Sequence, residues 1–375
     1  MKKHLNSIKL FVTGGHVTPA VALMEAVKER HPNWQMVFVG RTHALGGTSV
    51  ESEEQKIVER DGYRFLPLKA GRLTRAWDIQ TIWSLVNVPV GFFQAIVYCL
   101  REKPDAIVSF GGYVALPVVL SGWALGISSI THEQTFVPGL ANRIISRVAA
   151  KICVSFAEVV RFFPKQKTIV TGLPVRQGFM KPSNMTSVPP EENFPLLYIT
   201  GGATGAVSLN ELIFPVLSRL TRRFRIVHQT GRVSYEKAVK IRNALPESQQ
   251  KRYIILQYIP MSELSGILRD ASIVVGRSGA NTVYELAMMG KVAVLVPLPW
   301  SAGGEQQKNA AWLAQHGSAR VVNQKQVNAQ DLANTIETLW ADHKQMQQRA
   351  LNFANKIPGD GAKRMLAQLE TVLGI

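Results

Sequence analysis

Apolar runs of four to seven residues recur along the chain, each followed by a longer stretch in which apolar and polar residues mix at helical spacing. IKLFV (8–12), QMVFVG (35–40), AIVSF (106–110), SSIT (128–131), KICVSF (151–156) and TIVTG (168–172) make one series. LLYIT (196–200), RIVHQTG (225–231), YIILQYI (253–259), SIVVG (272–276), VAVLVP (292–297) and ARVV (319–322) make a second. Runs without polar alternation suit strands covered on both faces, and strands alternating with helices predict α/β domains built on parallel sheets. Between the series, KPSNMTSVPPEENFP (181–195) lacks apolar periodicity and reads as a linker. At 375 residues the chain exceeds the usual reach of a single core. The expected layout is an N-terminal domain (1–180), the linker (181–195), a C-terminal domain (196–355) and a helix (356–375) packing back on the N-terminal domain.

Two uncharged stretches, 82–100 and 106–131, are long enough to raise the question of membrane spans. Asn87, Pro89, Gly91 and Gln94 break the first; Gly111, Gly112, Pro117, Gly122 and Gly126 break the second, predicting strand, turn and buried helix instead. The first is flanked by Arg72, Arg75, Arg101 and Lys103, which suits a bilayer surface. The start, MKKHLNSIKLFVTGG, has too short an apolar segment for a signal peptide. Cys99 and Cys153 are read as buried thiols of a reducing compartment. A net charge of +17 favours a polyanionic partner: nucleic acid, anionic lipid or a phosphate-bearing substrate. No RNP, zinc-finger or helix-turn-helix signature is present, so nucleic acid is not expected.

Each series opens on the same turn. Val12-Thr13-Gly14-Gly15 is echoed by Ile199-Thr200-Gly201-Gly202, at the carboxyl end of the first strand of its own sheet. Ligands of open α/β sheets bind at that edge, and two such domains facing one another make a cleft. Neither turn is G-x-G-x-x-G, Gly290-Lys291 is followed by Val292 rather than Ser or Thr, and no G-x-S-x-G occurs. Nicotinamide-dehydrogenase, P-loop and α/β-hydrolase chemistries lose their main support.

Candidate chemistry clusters at these turns. In TGGHVTPA (13–20) the glycines leave backbone amides open to a ligand, Thr18 and Pro19 suit a cap and first turn, and a helix amino end attracts an anion. His16 either holds that turn or titrates. Glu285, early in the helix after RSGAN, could accept from two ribose hydroxyls or simply favour the helix dipole. Arg176 of VTGLPVR could fork onto phosphate, although a salt bridge is the simpler role. His132 and Glu133 of THEQ offer a second base, with capping the better expectation. Gln306 and Asn309, three apart on one helix face, could touch a sugar. There is no Asp-x-Asp pair, so no metal is expected and a departing diphosphate would need protein dipoles and cations.

In order, TGGH, SFGGY, HEQ, G-x-P-V-R, TGG-x-x-G, RSGA-x-T-x-x-E and QQ-x-NA, spread from about residue 8 to residue 320, resemble the MurG family of inverting glycosyltransferases. The resemblance implies a GT-B fold, two Rossmann-like doubly wound domains facing across a cleft, with the donor nucleotide held mainly by the C-terminal one. It implies transfer of GlcNAc from UDP-GlcNAc to the muramyl 4-hydroxyl of undecaprenyl-pyrophosphoryl-MurNAc-pentapeptide, lipid I to lipid II, without a cofactor. By motif position, Thr13, Gly14 and Gly15 would line the donor phosphates, Arg176 would approach the nucleotide sugar, and Thr135 and Ala203 would stand at donor-site positions. Ile259 would contact uracil, Ala280, Asn281, Thr282, Val283, Tyr284 and Glu285 would cradle the nucleotide with Glu285 on the ribose, and Gln306 would read the GlcNAc hydroxyls. His16, Tyr113 and Glu133 would lie on the acceptor side. The resemblance further implies peripheral attachment to the cytoplasmic face of an anionic membrane, and membership of a cell-wall synthesis complex.

This chain departs from the family pattern at Val12, usually glycine, at Thr135, usually Asn, and at Ala203-Thr204, usually Ser-Gln. With an acceptor hydroxyl to deprotonate, His16 is better read as general base than as turn support. The remaining alternatives are a GT-B transferase acting on diacylglycerol, a UDP-GlcNAc 2-epimerase, and a catalytically silent membrane-surface scaffold.

Overall fold

The computed structural model describes residues 7–41, 53–69, 79–176, 179, 194–202 and 205–375. Of the expected linker, 181–193 lie outside the described residues, as do Ala203 and Thr204 in the second glycine turn and Arg72 and Arg75. The chain divides into two compact units, Met1–Gln177 with Gly359–Ile375, and Gly178–Pro358.

The first unit carries a seven-stranded parallel sheet in the order β3-β2-β1-β4-β5-β6-β7. Its strands are β1 (Lys9–Thr13), β2 (Gln35–Gly40), β3 (Arg64–Pro67), β4 (Ala106–Ser109), β5 (Ser128–Glu133), β6 (Lys151–Val154) and β7 (Thr168–Val170). The second has six parallel strands, β8 (Leu196–Thr200), β9 (Arg225–Gln229), β10 (Tyr253–Leu256), β11 (Ala271–Gly276), β12 (Ala293–Leu295) and β13 (Ala319–Val321), ordered β10-β9-β8-β11-β12-β13. In both, the strand order reverses beside the opening strand, at β1/β4 and at β8/β11. A doubly wound sheet leaves a crevice at such a switch point, outside the carboxyl ends of the strands. Both glycine turns open there.

Twelve of these strands coincide with the apolar runs of the sequence. The addition is β3, whose RFLP holds only two large apolar residues before a proline. It pairs with β2 alone at the sheet edge, where proline's missing donor is tolerated. The 106–131 stretch resolves into β4, the helix Ala115–Ala124 and the start of β5. Residues Ile79–Glu102 form one helix with Pro89 inside it, and among the described residues no helix is long and apolar enough to cross a membrane.

One face of the first sheet is covered by the helix Val17–Arg30 together with the C-terminal helix Gly361–Leu373, whose Met365, Leu366 and Leu369 join Leu10, Val12, Met24 and Val108 in a buried cluster. The other face packs Phe11, Val37 and Ile107 against Val118, Val119 and Ile145. Burying each Leu- or Met-sized side chain is worth about 1.5–3 kcal/mol, so the C-terminal helix is an integral part of the first unit. Its start demands Gly361, because a Cβ there would collide with the carbonyl of Leu173.

Candidate active site

The first site is the carboxyl edge of the first sheet. Gly14 turns the chain with φ +147°, and a Cβ there would stand 2.8 Å from Cβ of Phe110. The Gly15 amide donates to the Gly111 carbonyl at 3.0 Å, so it is engaged within the protein rather than open to a ligand. This bond locks the turn after β1 to the turn after β4. His16 occupies the cap position of the helix Val17–Arg30, two residues before Thr18, the expected cap, and its ring bonds no amide of the first turn. Turn support is therefore not what the imidazole supplies. The ring is exposed, yet the protein around it strips hydration and pushes its pKa down to about 4. Its access to water limits that loss; the direction, toward the neutral imidazole, stands.

His132, at the end of β5, is buried, and its Nε2–H donates to the Gly172 carbonyl at 3.1 Å while Nδ1 has no partner among the described residues. Burial first, and then the neighbouring His16, hold its pKa at about 4. A ring so enclosed is no second base for a solvent-borne substrate. Glu133 is likewise closed on its own loop, accepting from Thr135 N–H (3.0 Å), the Thr135 hydroxyl (2.8 Å), Gly139 N–H (3.3 Å) and Asn142 Nδ2 (2.9 Å). Burial raises its pKa and these donors lower it. Thr135 is thereby turned inward, its hydroxyl shared between Glu133 and the Val137 carbonyl. Tyr113 is half-buried, and its hydroxyl accepts from Arg41. Arg176 is paired with carboxylates: Nε and Nη2 both reach Glu25 Oε1 (2.8 and 2.5 Å), and Nη2 lies 2.8 Å from Asp61. The structure gives it the salt bridge, not a free fork for phosphate.

The second site is the carboxyl edge of the second sheet. Thr200 Oγ1 accepts from the Gly202 amide at 3.0 Å and donates to Gln229 Oε1 at 3.0 Å, and the buried Tyr198 hydroxyl donates to the same Oε1 at 2.8 Å. This network fixes the base of the glycine turn. Gly205, with φ +78°, passes so close to the Thr230 carbonyl that no Cβ fits.

Below that turn lies a residue the sequence did not single out. Arg277 is buried, donating from Nη1 to the Val296 carbonyl and from Nη2 to Ser208 Oγ, both at 2.7 Å, while Nε has no partner among the described residues. Among those residues no carboxylate pairs with it, and burial lowers its pKa. A guanidinium enclosed without a counter-ion attracts an anion strongly. Only its position at the head of RSGAN hinted at this.

The helix Ala280–Met288 starts from Gly279; its first residue, Ala280, is buried, and the next five sort by face. Asn281, Thr282 and Glu285 lie on one side; Val283 and Tyr284 point into the core, where Tyr284 donates to the Pro358 carbonyl at 2.8 Å. The side chains of Val283 and Tyr284 are therefore not available to a nucleotide. Asn281 Oδ1 is buried without a partner. Glu285 is 8% exposed, makes no hydrogen bond or ion pair among the described residues, and is pushed up to about 8 by burial. Gln306 accepts from the Leu298 amide through Oε1 at 2.9 Å, and its NH2 has no partner among the described residues. Asn309 is fully buried, and its Nδ2 holds the Ser278 carbonyl at 2.8 Å, so it braces the RSGAN turn rather than touching a sugar. Ile259 has a buried side chain and no backbone hydrogen bond among the described residues, next to the half-exposed Tyr258. Among the described residues no group of three or more His, Cys, Asp or Glu could hold a metal ion.

Residues 13–154 match the glycosyltransferase family 28 N-terminal domain, and residues 196–365 the glycosyltransferase family 28 C-terminal domain. A UDP-N-acetylglucosamine--N-acetylmuramyl-(pentapeptide) pyrophosphoryl-undecaprenol N-acetylglucosamine transferase from Desulforudis audaxviator is 32% identical over 354 residues, covering 92% of each chain. Among solved structures, MurG of Acinetobacter baumannii superposes with a TM-score of 0.73 at 24% identity, covering 97% of this chain and 99% of that one. A UDP-N-acetylglucosamine 2-epimerase from Listeria monocytogenes shares the fold at 13% identity, with a TM-score of 0.68 over 98% and 97% of the two chains. The chain belongs to glycosyltransferase family 28, in its MurG group.

Proposed function

We propose that this protein transfers GlcNAc from UDP-GlcNAc to the 4-hydroxyl of lipid-linked MurNAc-pentapeptide, with His16 as general base. The observation that carries the mechanism is an exposed imidazole at the first switch point, without a hydrogen bond among the described residues and in surroundings that favour its neutral form. The acceptor hydroxyl gives its proton to a ring nitrogen as its oxygen attacks the anomeric carbon. The C1–O bond to UDP breaks, its electron pair leaves on the β-phosphate oxygen, and the configuration inverts. The depressed pKa keeps the imidazole empty for the proton, at some loss of basicity.

The second unit carries the groups for the donor. Glu285 faces the ribose hydroxyls, the Ile259 backbone offers a donor and an acceptor to uracil, and the uncommitted NH2 of Gln306 reads the sugar. Arg277 and the amino end of the helix Ala280–Met288 meet the charge that grows on the diphosphate. On the first unit, Phe93 (71% exposed) and Trp123 (58%) project with Val90, Leu100 and Leu125 beside Arg101 and Lys103. An apolar patch rimmed by cations suits the cytoplasmic surface of an anionic membrane, where the lipid-linked acceptor resides.

The test is the purified protein with UDP-GlcNAc and lipid-linked muramyl-pentapeptide, the product weighed by mass spectrometry. A disaccharide product supports the proposal. Release of UDP only with diacylglycerol, or turnover of UDP-GlcNAc without any acceptor, overturns it. Activity unaffected by EDTA is expected.

A further inference from the structure

Four turns converge at the carboxyl edge of the first sheet. Arg41 follows β2, Gly14 to His16 follow β1, Gly111 to Tyr113 follow β4, and His132 to Thr135 close β5. Since β2 and β4 flank β1, Arg41 and Tyr113 approach from opposite sides of the turn that carries His16. Their side chains meet: Nη1–H of Arg41 donates to the Tyr113 hydroxyl oxygen at 3.1 Å, while Nη2–H donates to Glu54 Oε1 at 2.7 Å. Gly112 brings Tyr113 this close, because its own Cβ position lies 3.3 Å from the Gly15 amide nitrogen, and its φ of +80° suits glycine.

Glu54, on the helix Glu53–Arg60, is 5% exposed, and its Oε2 is buried without a partner among the described residues. Burying an ion pair usually stabilises less than an apolar pair of the same shape would. The pair here does something an apolar pair cannot: it aims a guanidinium. With Nη2 fixed by Glu54, the planar fork points Nη1 at the phenol. A phenol oxygen that accepts from a cation has its own proton directed elsewhere, and no described residue takes it. The hydroxyl is thus polarised as a donor and left free to donate to a ligand at this edge of the sheet.

We propose that Arg41, held by Glu54, is a positioning residue that fixes the Tyr113 hydroxyl to donate to an oxygen of the lipid-linked acceptor. The proposal rests on the transferase function above. It selects the acceptor over the donor because the second unit already supplies the groups for nucleotide and sugar.

Steady-state kinetics of Arg41→Ala, Arg41→Lys, Tyr113→Phe and the double variant Arg41→Ala/Tyr113→Phe test it, each substrate being varied in turn. Loss of one charge-assisted hydrogen bond predicts an acceptor KM raised about tenfold or more in Arg41→Ala and Tyr113→Phe. The KM for UDP-GlcNAc stays within about twofold of wild type, Arg41→Lys recovers part of the loss, and the double variant is no worse than the poorer single one. Donor binding by calorimetry checks that each variant is folded; should Arg41→Ala fail to fold, Arg41→Lys and Tyr113→Phe decide. An unchanged acceptor KM, equal rises in both KM values, or effects that multiply in the double variant overturn the positioning role while transfer by the wild type still stands. Absence of transfer by the wild type overturns both.

Discussion

His16 and Glu285 are two titratable groups displaced from their ordinary ranges by the same cause, loss of water, in opposite directions. His16→Ala is expected to lower kcat by about 10²- to 10⁴-fold and to leave UDP-GlcNAc affinity nearly unchanged; titration calorimetry beside turnover measurement separates the two. Because the His16 pKa is lowered toward about 4, the acidic limb of kcat should fall below the ordinary histidine range near 6.5. Glu285 gives the complementary prediction. Its carboxyl, near 8 in the empty site, is mostly protonated at pH 7, and ribose hydroxyls donating to it favour the carboxylate. Donor binding should then release a proton, tighten as pH rises from about 6 to 8, and level off above. Glu285→Gln should bind more weakly and lose that pH dependence. At this scale the sequence marks His16 and Glu285 as titratable groups at strand-to-helix turns, and the structure places both there, each with its charge disfavoured. The sequence was opaque where a distant partner decides: Arg176 meets Glu25 151 positions away, and Glu133 and Thr135 close on each other within a loop whose shape no local pattern states.

The elements were more legible than the side chains they carry. Continuous β-branched runs mark strands buried on both faces, so twelve of thirteen strands stand out, and β3 escapes because Phe65 and Leu66 are too few to register. Helix faces were harder. A three-residue spacing put Gln306 and Asn309 together, but only Gln306 looks outward, since Asn309 is drawn inside by the Ser278 carbonyl. The glycine turns are the elements most sensitive to change. Gly14→Ala must clear Phe110 and adopt a backbone angle that side chains disfavour, at about 1–3 kcal/mol. It should lower the melting temperature and, by displacing His16, reduce turnover further than the loss of folded protein explains. Equal melting curves and equal turnover for variant and wild type would remove the turn from the mechanism.

At the level of the whole molecule, the proposed membrane attachment joins a net charge of +17 to exposed apolar side chains on the first unit. Binding to vesicles of anionic lipid should weaken with added salt, since exposed charges are screened beyond about 10 Å at 0.1 M. Phe93→Ser with Trp123→Ser should reduce sedimentation with vesicles without altering donor affinity, because both side chains project into solvent. Salt-independent binding, or binding untouched by that pair, would argue for another attachment surface. Composition and charge point to a polyanionic partner but not to a surface for it: the exposed apolar side chains proposed for that role come from helices separated in sequence.

The C-terminal helix, built into the first unit's core, bears on how the protein is made. During translation the strands of the first sheet emerge early, yet Leu10, Val12 and Met24 must wait for Met365, Leu366 and Leu369, which are made only after the whole second unit. The intervening unit has its whole chain available sooner. A nascent first half therefore leaves the ribosome with a bare apolar face, a period in which chaperone protection matters most.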